Sequence, residues 1–271
     1  MTFDEMKARI AEGQGFIAAL DQSGGSTPKA LAGYGVAEDA WTTEDEMFGL
    51  IHEMRQRIIE SPCFGNGKVI GAILFEKTME GCNPEGMPIP ERLAGKGIVP
   101  FLKVDKGMHD TENGVQLMKD MPQLADQCAR AKKLGVFGTK MRSVVHEANR
   151  QGIADAVRQQ MDFGLEILSH GLVPILEPEV SLKADNRGTA EAVARHLALV
   201  APSLERRHKG NCEGVDIRLA RVAAGVVVGC CADNHVRVAV TVHVARAGDA
   251  EAEVVGRCPA LVAPVRARRE P

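Results

Sequence analysis

The sequence predicts an α/β fold in which parallel strands alternate with helices, as in a TIM-type (β/α)8 barrel. Apolar segments recur at steps of 36 and 37 residues, since Phe101, Phe137 and Pro174 hold corresponding positions. Each stretch between them has helical periodicity, and parallel strands need such crossovers. The length of 271 residues suits one barrel domain, which typically takes about 250 residues.

Five strands are predicted, over residues 15–20, 70–75, 99–105, 136–142 and 173–179. The last three each end in two charged residues two positions apart, which are Lys103/Asp105, Lys140/Arg142 and Glu177/Glu179. Because side chains alternate faces along a strand, both members of a pair point to one side. Burying these charges is too costly unless they face one another or a polar ligand. The pairs therefore predict an active site at the carboxyl ends of the strands.

Two helices are predicted from their periodicity and their end signals. The first begins after Thr43, which forms a capping-box pattern with Glu46. Its apolar positions are Met47, Leu50, Ile51, Met54 and Ile58. The second covers about residues 149–170, with Ile153, Val157, Leu165 and Leu168 inward, and Gly171 stands where a left-handed cap is expected. We expect both helices to pack on the outside of the barrel.

Composition and charge limit the classes of binding partner and the cellular compartment that we expect for this protein. A net charge of -3 gives no electrostatic reason to expect a nucleic acid or an anionic membrane as a partner. The seven cysteines include no C-x-x-C pair, and the eight histidines show no metal-ligand spacing. Residues 1–12 lack the apolar run of a signal peptide, and no segment approaches the roughly 18 apolar residues of a membrane span. We expect a cytoplasmic protein without a metal or another cofactor.

Six motifs occur in order in the first two thirds of the chain. They read GFIAALDQSGGSTPKAL, GAILFEKTM, VPFLKVDKG, NGVQLMK, FGTKMRS and GLVPILEPEV. In order and spacing they closely resemble the bacterial class I fructose-bisphosphate aldolases, over residues 1–184. The resemblance implies a glycolytic lyase that reversibly cleaves fructose 1,6-bisphosphate to dihydroxyacetone phosphate and glyceraldehyde 3-phosphate. In that family a lysine forms a Schiff base with dihydroxyacetone phosphate, and no metal takes part.

The resemblance also implies roles for individual residues. Asp21 resembles the carboxylate that assists proton transfer around the cleaved bond, and Glu177 the general acid that helps to dehydrate the carbinolamine. Lys140 belongs with these two as a catalytic residue. The implied substrate-binding residues, several of them near phosphate, are Ser23, Ser26, Lys103, Arg142 and Glu179.

The chemistry of these residue types agrees with a bisphosphate substrate, which brings about four negative charges. Lys103, Lys140 and Arg142 can neutralise part of that charge. A carboxylic acid next to a second carboxylate can keep its proton near neutral pH, which suits Glu177 beside Glu179. The Gly24-Gly25 step in the first motif lets backbone amides approach an anion closely.

Structural alternatives exist for several of these residues. Lys103 and Asp105 could form an inward structural ion pair. Asp21 could simply cap the helix after the Gly-Gly turn. Glu179 suits a partner that orients a lysine better than a catalyst.

The resemblance ends near residue 184, where the composition also changes. Residues 1–184 hold 12 Lys and 8 Arg, whereas residues 185–271 hold 1 Lys and 12 Arg, and no aromatic residue follows Phe163. We therefore divide the chain into an aldolase-like barrel portion, 1–184, and a divergent Arg/Ala/Val-rich tail, 185–271. A shifted reading frame in a GC-rich gene, or a sequencing error, would produce such a tail, and a genuine replacement of the C-terminal part is the alternative.

The tail lacks the strand motif that carries the family's Schiff-base lysine. Its only lysine, Lys209, precedes Gly210 and Asn211, which indicate a turn. Local patterns predict a helix over 189–207, which Pro202 should kink or end, and a hairpin of strands within 225–231 and 236–245.

We therefore expect a barrel that is incomplete or distorted after the fifth strand, and a chain that does not cleave its substrate. One alternative is a non-catalytic barrel fragment that binds a sugar phosphate or a partner protein. Another is a different Schiff-base aldolase that uses Lys140 or Lys103 as its nucleophile. The oligomeric state is open, with a homo-oligomer among the alternatives.

Overall fold

The structure, a computed structural model, describes residues 1–23, 26–205, 228–230 and 236–238. A curled half-barrel sheet occupies its centre. The strands are β1 (Phe16–Leu20), β2 (Val69–Leu74), β3 (Val99–Lys103), β4 (Val115–Gln116), β5 (Gly138–Val145) and β6 (Val173–Val180). All are parallel except β4, and they pair in the order β1-β2-β3-β5-β6. The five predicted strands and the α/β barrel class are confirmed.

The helices are α1 (Phe3–Glu12), α2 (Ser26–Gly33), α3 (Glu44–Glu60), α4 (Glu76–Met79), α5 (Ile89–Gly95), α6 (Leu124–Lys133), α7 (Arg150–Ser169) and α8 (Arg187–Glu205). A 3-10 turn, Glu38–Ala40, precedes α3. The crossovers between successive parallel strands contain α3, α5, α6 and α7, and α8 follows β6. Strand and helix thus alternate as the sequence spacing predicts.

Both helices predicted from the sequence form with the expected caps. The Thr43 hydroxyl accepts from the Glu46 amide at 3.2 Å, and the Glu46 carboxylate accepts from the Thr43 amide at 3.1 Å, so the capping box is confirmed. Asn149 caps α7, and Gly171 has the expected left-handed φ of 72°.

One inward position predicted for α7 is wrong, because Leu165 is 43% exposed. The buried face of the helix passes instead through Gly164, where a Cβ atom would lie 3.2 Å from the Leu176 side chain. Adjacent residues on a helix point about 100° apart, so Leu165 is turned away from the sheet.

Aromatic side chains fill the core toward the amino ends of the strands. The Phe101 ring lies edge-on to Phe137, with centroids 5.7 Å apart, and Phe137 contacts Phe3 of α1 at 4.9 Å. Phe101 needs a glycine beside it, because a Cβ atom on Gly138 would come within 3.0 Å of its ring. Helix α1 packs against β2 and β3, so the first helix of the chain covers part of the same core.

The packed core continues past β6 into α8. Ala190 and Ala194 are fully buried there, and Val193 and Leu197 pack against the same cluster. The helix predicted over 189–207 is confirmed as α8 as far as Glu205, and it does not end at Pro202. Residues 206 and 207 lie outside the described residues. The division of the chain at 184/185 stays a prediction.

Two short strands lie farther along the chain. Strands β7 (Val228–Cys230) and β8 (Val236–Val238) pair antiparallel, within the predicted hairpin. The rest of that hairpin and Lys209 fall outside the described residues. In the described part of the chain β6 pairs only with β5, so the sheet there is a half-barrel.

Candidate active site

Lys140 is the centre of a largely buried charge cluster at the carboxyl ends of the strands, in which the side chains of Lys140, Asp21 and Glu177 keep 12%, 12% and 20% of their exposure. Its ammonium nitrogen lies 2.8 Å from Oε2 of Glu177 and 3.8 Å from Oδ2 of Asp21. Glu177 comes from the neighbouring strand β6, whereas Asp21 follows β1, and β2 and β3 lie between β1 and β5. The curl of the sheet therefore brings Asp21 to Lys140, and the three residues predicted as catalytic are together in one cluster.

The surroundings keep Lys140 charged. Burial acts to lower its pKa, but the charges of Glu177, Asp21 and Asp105 outweigh that effect, so its pKa is raised above the usual value for lysine. An amine must lose its proton to attack a carbonyl carbon. In this arrangement Lys140 therefore carries a positive charge between two carboxylates.

Lys103 lies beside Lys140, because the two residues are paired in register on β3 and β5. Its ammonium contacts Oδ1 of Asp105 at 2.9 Å and donates to the main-chain oxygen of Asp105 at 2.8 Å. The inward ion pair considered from the sequence is thus present. It holds a second cation within the site.

Arg142 and Glu179 form a pair of their own nearer to solvent. Nη1 of Arg142 lies 2.9 Å from Oε2 of Glu179. The sequence pattern placed Glu177 beside Glu179, and in the structure each of the two carboxylates contacts a different cation. The partner of Glu179 is thus an arginine, where the sequence pattern favoured a lysine.

The two serines expected near phosphate lie in and after the loop that follows β1. Ser23 is half-buried, and Ser26 is the first residue of α2. Gly24, Gly25 and the Ser26 side chain are outside the described part. The phosphate-binding role of this loop stays a prediction.

Sequence reasoning missed Arg55, a fully buried arginine on the inner face of α3. It donates to the Thr78 hydroxyl at 2.7 Å and to the main-chain oxygen of Gln22, the residue after Asp21. Burial lowers its pKa to about 10, and the charge of Asp21 opposes that shift. A signal was available, because Arg55 lies four residues from both Ile51 and Ile59, on the helix's apolar stripe.

A second charge network ties the loops after β2 and β3 to α6. Glu76 contacts Lys106 at 2.8 Å and also Arg130, and Arg130 bonds to Glu80 at 2.8 Å. Burial acts to raise the pKa of Glu76, but the hydrogen bond from Lys106 and the charges of Lys106 and Arg130 lower it overall. These contacts brace the rim of the site.

Two features are absent from the part of the chain that the structure describes. No group of three or more His, Cys, Asp or Glu side chains is arranged there to hold a metal ion. No helix in that part is both long and apolar enough to cross a membrane.

Fold and site together define the class of protein, an α/β-barrel enzyme with acids and bases at the carboxyl ends of its strands. The family model "Fructose-bisphosphate aldolase class-I" matches residues 3–247. The chain is also 57% identical over 196 residues to the fructose-bisphosphate aldolase class 1 of Porphyromonas gingivalis. The aligned residues cover 72% of this chain and 67% of that protein. The chain belongs to the class I fructose-bisphosphate aldolase family.

A solved structure supports the fold. It is a fructose-bisphosphate aldolase from Plasmodium falciparum, in complex with TRAP and a small-molecule inhibitor, with a TM-score of 0.53 and 23% identity. The match covers 66% of this chain and 52% of that one, so the chain spans about half the length of this structural relative.

Proposed function

We propose that the site binds fructose 1,6-bisphosphate or dihydroxyacetone phosphate, and that Asp21, Lys140 and Glu177 form the proton-transfer part of a class I aldolase. The observation that carries this is the position of the Lys140 ammonium between two carboxylates in a largely buried cluster. One cation between two acids can hold a proton and pass it to either acid, and the total charge of the cluster does not change. Glu177 is the general acid in this proposal.

The cations of the site supply the affinity for phosphate. Lys103 and Arg142 are each bound by one carboxylate, so they are fixed in place while their remaining hydrogen-bond donors are available. Charge-assisted bonds to phosphate oxygens are stronger than neutral ones. In this proposal Ser23 and Ser26 add hydroxyl donors from the loop after β1.

We further propose that this chain binds its substrate without turning it over. Covalent catalysis needs an uncharged amine, whereas Lys140 is held charged and Lys103 is bound to Asp105. After Lys183 the sequence contains one lysine, Lys209. In this proposal the chain contains the half of the family's site that binds the sugar phosphate.

Borohydride trapping tests the absence of turnover. The purified chain is treated with dihydroxyacetone phosphate and sodium borohydride, and its mass is measured. We expect an unchanged mass and no cleavage of fructose 1,6-bisphosphate above background. A substrate-dependent adduct on Lys140, Lys103 or Lys209 would contradict the proposal and would identify the nucleophile.

Calorimetric titration with fructose 1,6-bisphosphate tests the binding. Replacement Lys103→Met should weaken binding about 10- to 100-fold, because it removes a charge-assisted bond worth about 1.5–3 kcal/mol. Lys132→Met is the matched control, since the Lys132 amine bonds to the Gly171 carbonyl outside the site. Equal effects of the two replacements would show that Lys103 has no special role.

A further inference from the structure

Arg55 is a buried cation whose burial is only partly compensated. In the described part of the chain no carboxylate lies at ion-pair distance from it, and its Nε has no hydrogen-bond partner. Its guanidinium also lies 5.8 Å from the centre of the Phe75 ring. Burying a charge in this way costs free energy, and a leucine or methionine would fit the apolar stripe of α3 without that cost.

The contacts of Arg55 converge on the site. Gln22 follows Asp21 in the loop after β1, and Thr78 lies in α4, directly after β2. One planar, rigid guanidinium therefore joins α3 to the loops that follow two neighbouring strands. Asp21 is also the acidic group whose charge acts on Arg55.

We propose that Arg55 is a positioning residue, which fixes the loop after β1 so that the Asp21 carboxylate stays directed at Lys140. This inference rests on the proposed function, because it takes the Asp21–Lys140 pair to be part of the proton transfer. Arg55 touches neither the substrate site nor Lys140 in this role, and it acts through the main chain next to Asp21.

The geometry makes Asp21 the sensitive member of the cluster. Its oxygen lies 3.8 Å from the Lys140 nitrogen, beyond hydrogen-bond distance, whereas Glu177 lies at 2.8 Å. The charges that face Lys140 are Glu177 from β6, Asp21 from the loop after β1 and Asp105 after β3, with Lys103 beside it on β3. A small shift of the loop would remove one of these three acids, and Lys140 would then lose its proton more readily.

Acetylation of Lys140 measures how readily its amine loses the proton, and the experiment needs no substrate. The full chain and its Arg55→Met variant are treated with acetic anhydride from pH 7 to 11, and labelling of the Lys140 peptide is measured by mass spectrometry. We expect the midpoint of labelling to move to lower pH in Arg55→Met, with about three- to tenfold more labelling at pH 8, since each pKa unit changes the free amine tenfold. Arg55→Lys keeps the charge and should restore the midpoint in part.

Two other variants keep the test decisive. Thr78→Val removes one Arg55 hydrogen bond without changing charge or shape, and it should give a smaller shift in the same direction. Arg92→Met is the control, because Arg92 on α5 bonds to Glu60 away from the site, with Nε 2.9 Å from Oε2, and the Lys140 midpoint should not move.

Each result supports or overturns the inference. An unchanged Lys140 midpoint in folded Arg55→Met, or an equal shift in Arg92→Met, overturns it. If Arg55→Met does not fold, Thr78→Val decides, and an unchanged midpoint there overturns it as well. Failure of fructose 1,6-bisphosphate to bind would count against the proposed function alone, since no substrate enters this experiment.

Discussion

The buried charges around Lys140 are stable only as a set. Asp21 and Glu177 are both carboxylates, and the ammonium between them compensates their burial. Removing one partner of a buried pair leaves an uncompensated charge, which costs more than the pair itself contributes. Substitutions at a single residue of the cluster should therefore be severe, and paired substitutions should be milder.

Lys140→Met should destabilise the fold by about 3 kcal/mol, because it leaves two largely buried carboxylates without the cation that both of them contact. Adding Glu177→Gln should recover part of that loss. Since the folded pKa of Lys140 is raised, its contribution is fully present below the unfolded lysine pKa of about 10.4 and is lost only above it. Urea unfolding at pH 7 and 9 should give the same difference, and a loss confined to one pH would contradict this.

Cys128 should be chemically protected in the folded chain. Burial, with the charge of Glu166 as a smaller cause, raises the pKa of its thiol to about 11. Cys63 and Cys82 are exposed. Iodoacetamide at pH 8 should label those two within minutes and Cys128 only after denaturation, as read by peptide mass spectrometry. Rapid labelling of Cys128 in the folded chain would argue against this packing.

At the scale of single elements, apolar spacing predicts the parallel strands because each is a continuous buried run between helical stretches. The short strand β4 has no such signal, since its two residues pair with Val144 and Val145 at the end of β5. The same pairing extends β5 beyond the predicted end at Arg142. The apolar stripe of α3 marks Arg55 as an unusual charged position, but its contacts with two distant loops are not encoded in that pattern.

The pairing of side chains within the site is likewise predicted only in part by the sequence. Alternation along strands places Lys103, Lys140 and Glu177 at one end of the sheet, which the sequence predicts. Which acid faces which base depends on curl and register, as with Glu179 and Arg142. No local pattern encodes those two quantities.

Gly138→Ala should disrupt the pairing of β5 with β6. The new Cβ atom would lie 2.1 Å from the Val173 carbonyl oxygen and 3.0 Å from the Phe101 ring, so strand or ring must move. We expect a loss of about 3 kcal/mol in urea unfolding. Gly49→Ala is the matched control in α3, where no atom lies within 4 Å of the new Cβ. It should raise stability by about 0.5–1 kcal/mol, and a neutral Gly138→Ala would show that β6 can shift freely.

At the scale of the whole molecule, the half-barrel and α8 share one apolar core. A core shared in this way should unfold as one unit. The stability of the barrel portion then depends on residues beyond 184 as well, because α8 supplies part of its core.

Ala194→Asp tests that dependence. Ala194 is fully buried against the core, whereas Ala192 is exposed on the same helix. An unpaired buried carboxylate should cost several kcal/mol, and Ala192→Asp should change stability by less than about 0.5 kcal/mol. Circular dichroism during thermal unfolding measures both. If the two variants melt alike, α8 is not part of the cooperative core.

The contact between Phe3 and Phe137 has a consequence for the order of events during translation. Helix α1 leaves the ribosome first, but the Phe137 ring that it packs against is made only after four strands, β1 to β4, and their helices have followed. The apolar side of α1 therefore stays exposed until Phe137 has been made, because non-local contacts delay folding in general. Ribosome-bound chains arrested before β5 emerges should lose α1 to a protease, whereas chains arrested after β6 emerges should retain it.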